Sequence, residues 1–290
     1  MLFISVISGL IVTIVKKYYV NNTGSASTYI FLYNGVSGLF SLSFFFLFYQ
    51  FSAISEYSII LGVLYGLATI VQGVFMMLAF LVGPVSFTVV IVNFSTVLTA
   101  VSGAIFWGES IKFLQIIGIG LCLASFLLAI EKKDDEKKVS WKWMVYSSLA
   151  MLATATLGLL QKIHQNSIYK EELDGFLFVA FAFLTITSLI AALFLSKKEK
   201  VPFIPKVKEK KILYAITVNM VVAGIFIAIV HKLNLYLAGV IDSAIFFPIV
   251  NGGNLILSIL LARILFKEKL TRRQWIGVFV GIASFACLCF

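Results

Sequence analysis

Ten apolar runs follow one another almost without interruption, at 2–17, 27–50, 57–80, 84–107, 111–130, 142–163, 174–195, 211–231, 238–265 and 273–290. Gly, Asn, Pro or short charge clusters separate them. The hydrocarbon core of a bilayer is about 30 Å thick and an α-helix rises about 1.5 Å per residue, so one crossing takes about 20 mostly apolar residues. Each run is read as long enough to cross. Closed β-barrels also satisfy every backbone group in lipid, but they need short segments of alternating polarity, and these runs are continuously apolar. The expected fold class is therefore an all-α integral membrane protein with ten transmembrane helices. Composition agrees: 61% of residues are hydrophobic and 12% charged, against about 45–50% and about 25% in soluble domains. The first run has no basic segment before it and no small-residue cleavage pattern after it, so it is expected to stay as a helix.

Two connections are long and strongly charged, Glu131 to Lys142 and Ser196 to Lys211. The first divides the chain into a five-helix unit at 1–130, a charged loop at 131–141 and a second five-helix unit at 142–290. The units resemble each other. Aligned without gaps from Glu109/Glu268 to Phe126/Phe285, they share Gln115/Gln274, Ile117/Ile276, Gly118/Gly277, Ala124/Ala283 and Ser125/Ser284 as well. A weaker echo pairs Lys16 with Lys162. Five crossings per unit is an odd number, so the second copy must enter the membrane from the opposite side. Inverted repeats of this kind place a binding site at their interface and allow alternating access.

These features resemble the drug/metabolite transporter superfamily in its ten-helix, EamA-type branch. The likeness rests on the two five-helix halves, on a fourth and a ninth helix that close on Phe106-Trp107-Gly108-Glu109 and Phe266-Lys267-Glu268, and on the openings Gln-Ile-Ile-Gly and Gln-Trp-Ile-Gly of the helices that follow. Lys267 stands where the family usually keeps glycine, and the second helix lacks a basic residue common in relatives. The resemblance implies a permease whose first, third, fourth, sixth, eighth and ninth helices surround a central cavity.

Sidedness is read from charge. Nineteen of the 23 Lys and Arg residues, from Lys16 and Lys17 to Arg272 and Arg273, fall on one side; Lys112, Lys162, Lys170 and Lys232 fall on the other. Cytoplasmic loops carry the excess of basic residues, so the lysine-rich side is expected in the cytoplasm and both termini outside, in a multi-pass cytoplasmic (inner) membrane protein. The net charge of +10 is explained by anionic lipid rather than by nucleic acid. The expected partners are the bilayer and a small-molecule solute, with no nucleic acid, and the chain is expected to work as a monomer.

Ionisable residues are scarce in the helix interiors, and Asp242, His164 and His231 lie near boundaries, where a solvated role is expected. Uncharged polar groups stand deeper. Gln72, Asn93, Asn219, Asn251 and Asn254 are the candidate solute-binding amides, with Tyr33 and Tyr65 as candidate stacking partners. An amide in hydrocarbon needs a partner, either a neighbouring helix or a solute. Pro248 with Gly252 and Gly253 marks a candidate helix break or gate, or a close packing face. Gly62-x-x-x-Gly66 and Gly277-x-x-x-Gly281 read as packing faces, and Trp107, Trp141, Trp143 and Trp275 as interface anchors. Cys122, Cys287 and Cys289 read as packing groups. No paired-acid metal motif, Ser/His arrangement at depth or phosphate-binding lysine loop occurs, so no cofactor, no metal and no catalytic residue is expected. The expected function is secondary transport of a small neutral or zwitterionic metabolite or drug-like solute. An intramembrane enzyme and a non-transporting receptor or assembly factor are the alternatives.

Overall fold

The structure, a computed structural model, describes residues 1–23, 26–48, 53–83, 85–129, 140–205, 210–266 and 271–289. Among them every regular element is helical: α1 (Leu2–Thr23), α2 (Ser27–Phe48), α3 (Glu56–Val82), α4 (Val85–Asn93), α5 (Ser95–Trp107), α6 (Phe113–Ala129), α7 (Trp141–Gln165), α8 (Leu173–Glu199), α9 (Lys210–Val240), α10 (Ser243–Phe266) and α11 (Arg272–Cys289), with a short 3₁₀ turn at Lys170–Glu172. Seven stretches, one of them joining α4 and α5, are long and apolar enough to cross a membrane; the apolar parts of α6, α10 and α11 among the described residues are shorter.

Contacts at the helix ends set the directions. Glu199, closing α8, accepts hydrogen bonds from the backbone N–H of Ser27 and Thr28 at the start of α2 (both 3.1 Å), so those helices run antiparallel. Glu172, just before α8, accepts from the Ser55 N–H (3.0 Å) and hydroxyl (2.7 Å), which puts α3 parallel to α8. Ser55 itself caps α3, its hydroxyl accepting the Ser58 N–H. Helix α7 runs against α3, with His164 near Ser58 at one end and Trp143 packed on Gly83 at the other. The polypeptide thus traverses the bundle ten times in alternating directions, α4 and α5 together forming one pass. The last turns of α1, α3, α6, α8 and α10 lie at one end, which also carries Lys17, Lys142, Lys197, Lys198, Lys200, Lys210, Lys211, Arg272 and Arg273.

Packing follows a set of pairs: α2 lies along α8, α6 along α11, α3 along α7, α1 along α9 and α10 across α5. In the α6/α11 pair the bonds are reciprocal. Ser125 Oγ donates to the Gly277 carbonyl (2.8 Å), and Ser284 Oγ donates to the Gly118 carbonyl (2.7 Å).

Small residues bring these helices close, as their spacing predicts. A Cβ on Gly66 would stand 2.5 Å from the Ala180 carbonyl oxygen, which is backbone and cannot swing aside. Gly66→Ala is therefore expected to push α3 off α8 and lower the thermal midpoint of the purified protein by an overpacking cost of about 1–3 kcal/mol; an unchanged midpoint would show that the two helices separate freely.

Three expectations are corrected. Helix α1 does not end with its apolar run at 17 but continues to Thr23, because Lys16 points into the protein and does not mark a surface. Helix α9 likewise runs past 231 to Val240, so α10 begins at Ser243 rather than at 238. Trp143 is not an interface anchor: it is buried, and its indole N–H donates to Thr88 Oγ1 (2.8 Å).

Candidate functional site

A cavity of about 240 Å³ lies at the centre of the bundle. Helices α1, α3, α4, α5, α7, α9 and α10 contribute to it, the set implied by the family resemblance, and α2 and α8 add Asn34, Ser37, Gly38, Phe181 and Leu184. Of the candidate residues, Tyr65, Gln72, Asn93, Asn251 and Asn254 line this space. Tyr33 and Asn219 are buried but do not line it. Tyr33 instead packs against Tyr19, ring centroids 4.6 Å apart, in a cluster with Met77, Ile216 and Met220. Both residues stand at an inward depth but on another face of their helices. Because those helices are apolar all round, no amphipathic stripe reveals which face turns inward.

The amides differ in how far they are satisfied. Asn251 Nδ2 donates to Thr96 Oγ1 (2.6 Å) and ties α10 to α5. Asn254 Nδ2 donates to the Val250 carbonyl of its own helix (3.0 Å), and Gln72 Nε2 approaches Met76 Sδ (3.3 Å). The side-chain nitrogens of Asn93 and Asn34, both buried, have no hydrogen-bond partner among the described residues.

The helix break lies elsewhere than at Pro248. Helix α10 is continuous through Pro248, Gly252 and Gly253. Gly252 faces Cys122 and Phe285 and Gly253 faces Val6, so this glycine pair serves close packing. The interruption is in the fourth pass, where α4 ends at Asn93 and α5 begins at Ser95. No Pro or Gly is involved. At Phe94 the backbone N–H is shared between the Val90 (3.3 Å) and Ile91 (3.0 Å) carbonyls, a local 3₁₀ tightening. Next to it, Thr99 Oγ1 donates back to the Ser95 (3.2 Å) and Thr96 (3.0 Å) carbonyls, a bond that competes with the helical ladder and bends helices. Asn93, Ser95 and Thr99 all face the cavity from this break.

Four ionisable groups that the sequence reading left at the boundaries are inside. His231 lines the cavity, and its Nδ1 lies 2.6 Å from the Tyr65 hydroxyl, which also receives Gln161 Nε2 (2.7 Å). Since the Tyr65 oxygen already accepts from Gln161, its own hydrogen is available to Nδ1, and the imidazole proton then sits on Nε2. His164 is fully buried beside Phe176, ring centroids 4.4 Å apart. Asp242, by contrast, is exposed. Lys162 pairs with Glu109 at 2.6 Å, their side chains 6% and 11% exposed. Gly108, in a left-handed conformation (φ 62°), turns the chain after α5 so that Glu109 folds back; its N–H returns to the Gly103 carbonyl (3.3 Å). Glu109 Oε2 then accepts the Ser243 N–H at the start of α10 (2.8 Å), and Lys162 Nζ donates to the Ile241 carbonyl (3.0 Å). One ion pair thereby joins the ends of α5, α7 and α9 to the start of α10.

Lys16 is the remaining cation. Its side chain is buried at 6% exposure and borders the cavity about two helical turns from the end of α1. Spacing alone did not distinguish it from Lys17, which is exposed. The one signal was the weak sequence echo that pairs it with Lys162.

No protein-family model matches the chain, and no curated protein sequence does. Among solved structures 28 chains match. One of them, described only as "Crystal structure of protein", superposes with a TM-score of 0.66 over 99% of this chain and 98% of its own length, at 11% sequence identity. At that identity the likeness shows a shared fold: this chain has the helical architecture of that protein from end to end.

Proposed function

We propose that the chain is a secondary transporter of the drug/metabolite type, which carries a small organic solute across the cytoplasmic membrane by alternating access. The observation that carries this reading is the polar cavity at the centre of a bundle of long apolar helices. Polar and ionisable groups are costly in lipid, and ionisable ones that face a hollow among membrane-length helices mark substrate or ion paths.

Two inverted five-helix repeats are part of the proposal. If each pass in the first half is exchanged with its equivalent in the second, the α1/α9 contact becomes α3/α7 and the α3/α8 contact becomes α2/α9. The α2/α8 and α6/α11 pairs map onto themselves, and so does the crossing of α4–α5 with α10. The reciprocal serine bonds between α6 and α11 obey the same exchange: Ser125/Ser284 and Gly118/Gly277 are matched positions of the sequence repeat. Such an axis supports rocking of one half against the other around a fixed site. The lysine-rich end is assigned to the cytoplasm.

The test is solute movement in proteoliposomes, with metabolite extracts as cargo and mass spectrometry as readout. Asn93→Ala is expected to lower uptake of the transported solute about five- to tenfold, the worth of about one hydrogen bond to a bound solute. Uptake indifferent to Asn93→Ala would remove the cavity from the path, and a chemically altered solute would point to an enzyme.

A further inference from the structure

We propose that the cavity is built for a small organic monoanion whose carboxylate pairs with Lys16. The proposal rests on the reading of the cavity as a solute site, and it moves the cargo class from neutral or zwitterionic to anionic. Its basis is a contrast between two matched lysines. Lys162 is answered by Glu109 at 2.6 Å. Lys16 has no ion-pair or hydrogen-bond partner among the described residues, and no Asp or Glu lines the cavity. An ammonium taken out of water without a counter-charge is costly, and an anion from solution removes that cost when it binds.

The groups nearest in kind to Lys16 are donors as well. Asn34 and Asn93 line the space, and their buried amide nitrogens have no partner among the described residues. With the Tyr65 hydroxyl assigned as donor to His231 Nδ1, the imidazole proton falls on Nε2 and is a further donor. A carboxylate, which only accepts, matches such a set. A phosphate monoester fits less well: it carries about −1.5 to −2 charges and is usually gripped by arginine forks, and no arginine lines the cavity among the described residues. The volume, about 240 Å³, is below the range of about 300–1,000 Å³ typical of drug-sized ligands. A zwitterion would bring a second cation beside Lys16 with no acid on the described lining to receive it.

The test uses the purified full chain and two matched pairs of probes, lactate against lactamide and benzoate against benzamide. Binding is read by thermal shift and calorimetry, and flux in proteoliposomes. At least one carboxylate is expected to bind while its amide does not. Lys16→Met is expected to weaken that binding about 10- to 100-fold, as loss of a charged hydrogen bond does, and Lys16→Arg to retain most of it. The ligand-free Lys16→Met protein is expected to be no less stable than the parent, since an unmatched charge has been replaced by an apolar chain of similar length. Failure of the carboxylates to bind in preference to their amides overturns the proposal. So does amide flux insensitive to Lys16→Met, although transport would then stand. Carboxylate binding that needs Lys16 without any flux would uphold the proposal and sink the transport reading. Glu268, the sequence match of Glu109, lies outside the described residues. A double-mutant cycle in which Lys16→Met and Glu268→Gln are strongly coupled in the ligand-free protein would show that Lys16 answers a protein carboxylate, and the proposal would fall.

Discussion

Glu109→Gln is expected to destabilise the protein by about 3–5 kcal/mol, and a second change, Lys162→Met, to recover most of the loss. The glutamine keeps an oxygen that accepts the Ser243 N–H, so the substitution removes charge and little else. What remains is the Lys162 ammonium, buried and bonded to the Ile241 carbonyl alone. Coulomb attraction between the paired charges offsets their desolvation in the parent; in the single variant the desolvation stays and the attraction is gone. Removing the second charge removes the desolvation too, which is why the double variant is expected to lie close to the parent. The measurement is the thermal midpoint of parent, both single variants and the double variant in one detergent. A double variant as unstable as Glu109→Gln would show that the site is wet and that the pair holds the four helix ends by geometry alone.

Tyr65→Phe carries the second large effect. The ring is fully buried against Phe176 (centroids 5.2 Å apart), and the phenylalanine preserves that packing. The hydroxyl, however, is the only atom removed and serves two partners, Gln161 at 2.7 Å and His231 at 2.6 Å. Each polar group left unsatisfied in a buried site costs about 1–3 kcal/mol, so a loss at the upper end of that range or beyond it is expected. Because the three side chains form one chain of bonds, Tyr65→Phe and His231→Ala should be strongly non-additive in a double-mutant cycle. Additive losses would mean that each group is satisfied by water in the cavity and that no network exists.

The ten helical passes and their order were legible because each begins from a continuous apolar run, which composition alone reveals. The proposed repeat was read from Gly118/Gly277 and Ser125/Ser284 among other pairs, and in the structure those four residues meet, each serine bonding the glycine carbonyl of the opposite helix. Of the site, the depth of Gln72, Asn93, Asn251 and Asn254 was readable, but the facing of Tyr33 and Asn219 was not. The helix break was misplaced for a related cause. Proline and glycine are local signals, and in α10 the neighbouring helices hold the backbone helical through Pro248, Gly252 and Gly253. Beside the break at Phe94 the Thr99 hydroxyl competes for the Ser95 and Thr96 carbonyls, a pattern with no local punctuation.

The linear order of residues determined by itself the helical class, the number of passes and the end at which the lysines gather. These follow from periodicity and charge, which need no knowledge of neighbours. Only the tertiary structure decided that Lys16 borders a cavity, that Lys162 and Glu109 find each other, that His231 and His164 are inside and that Trp143 packs against Gly83. A charge near a helix end reads as solvated until the helices around it are known. Whether it is desolvated, and what then balances it, depends on groups brought together from distant parts of the chain.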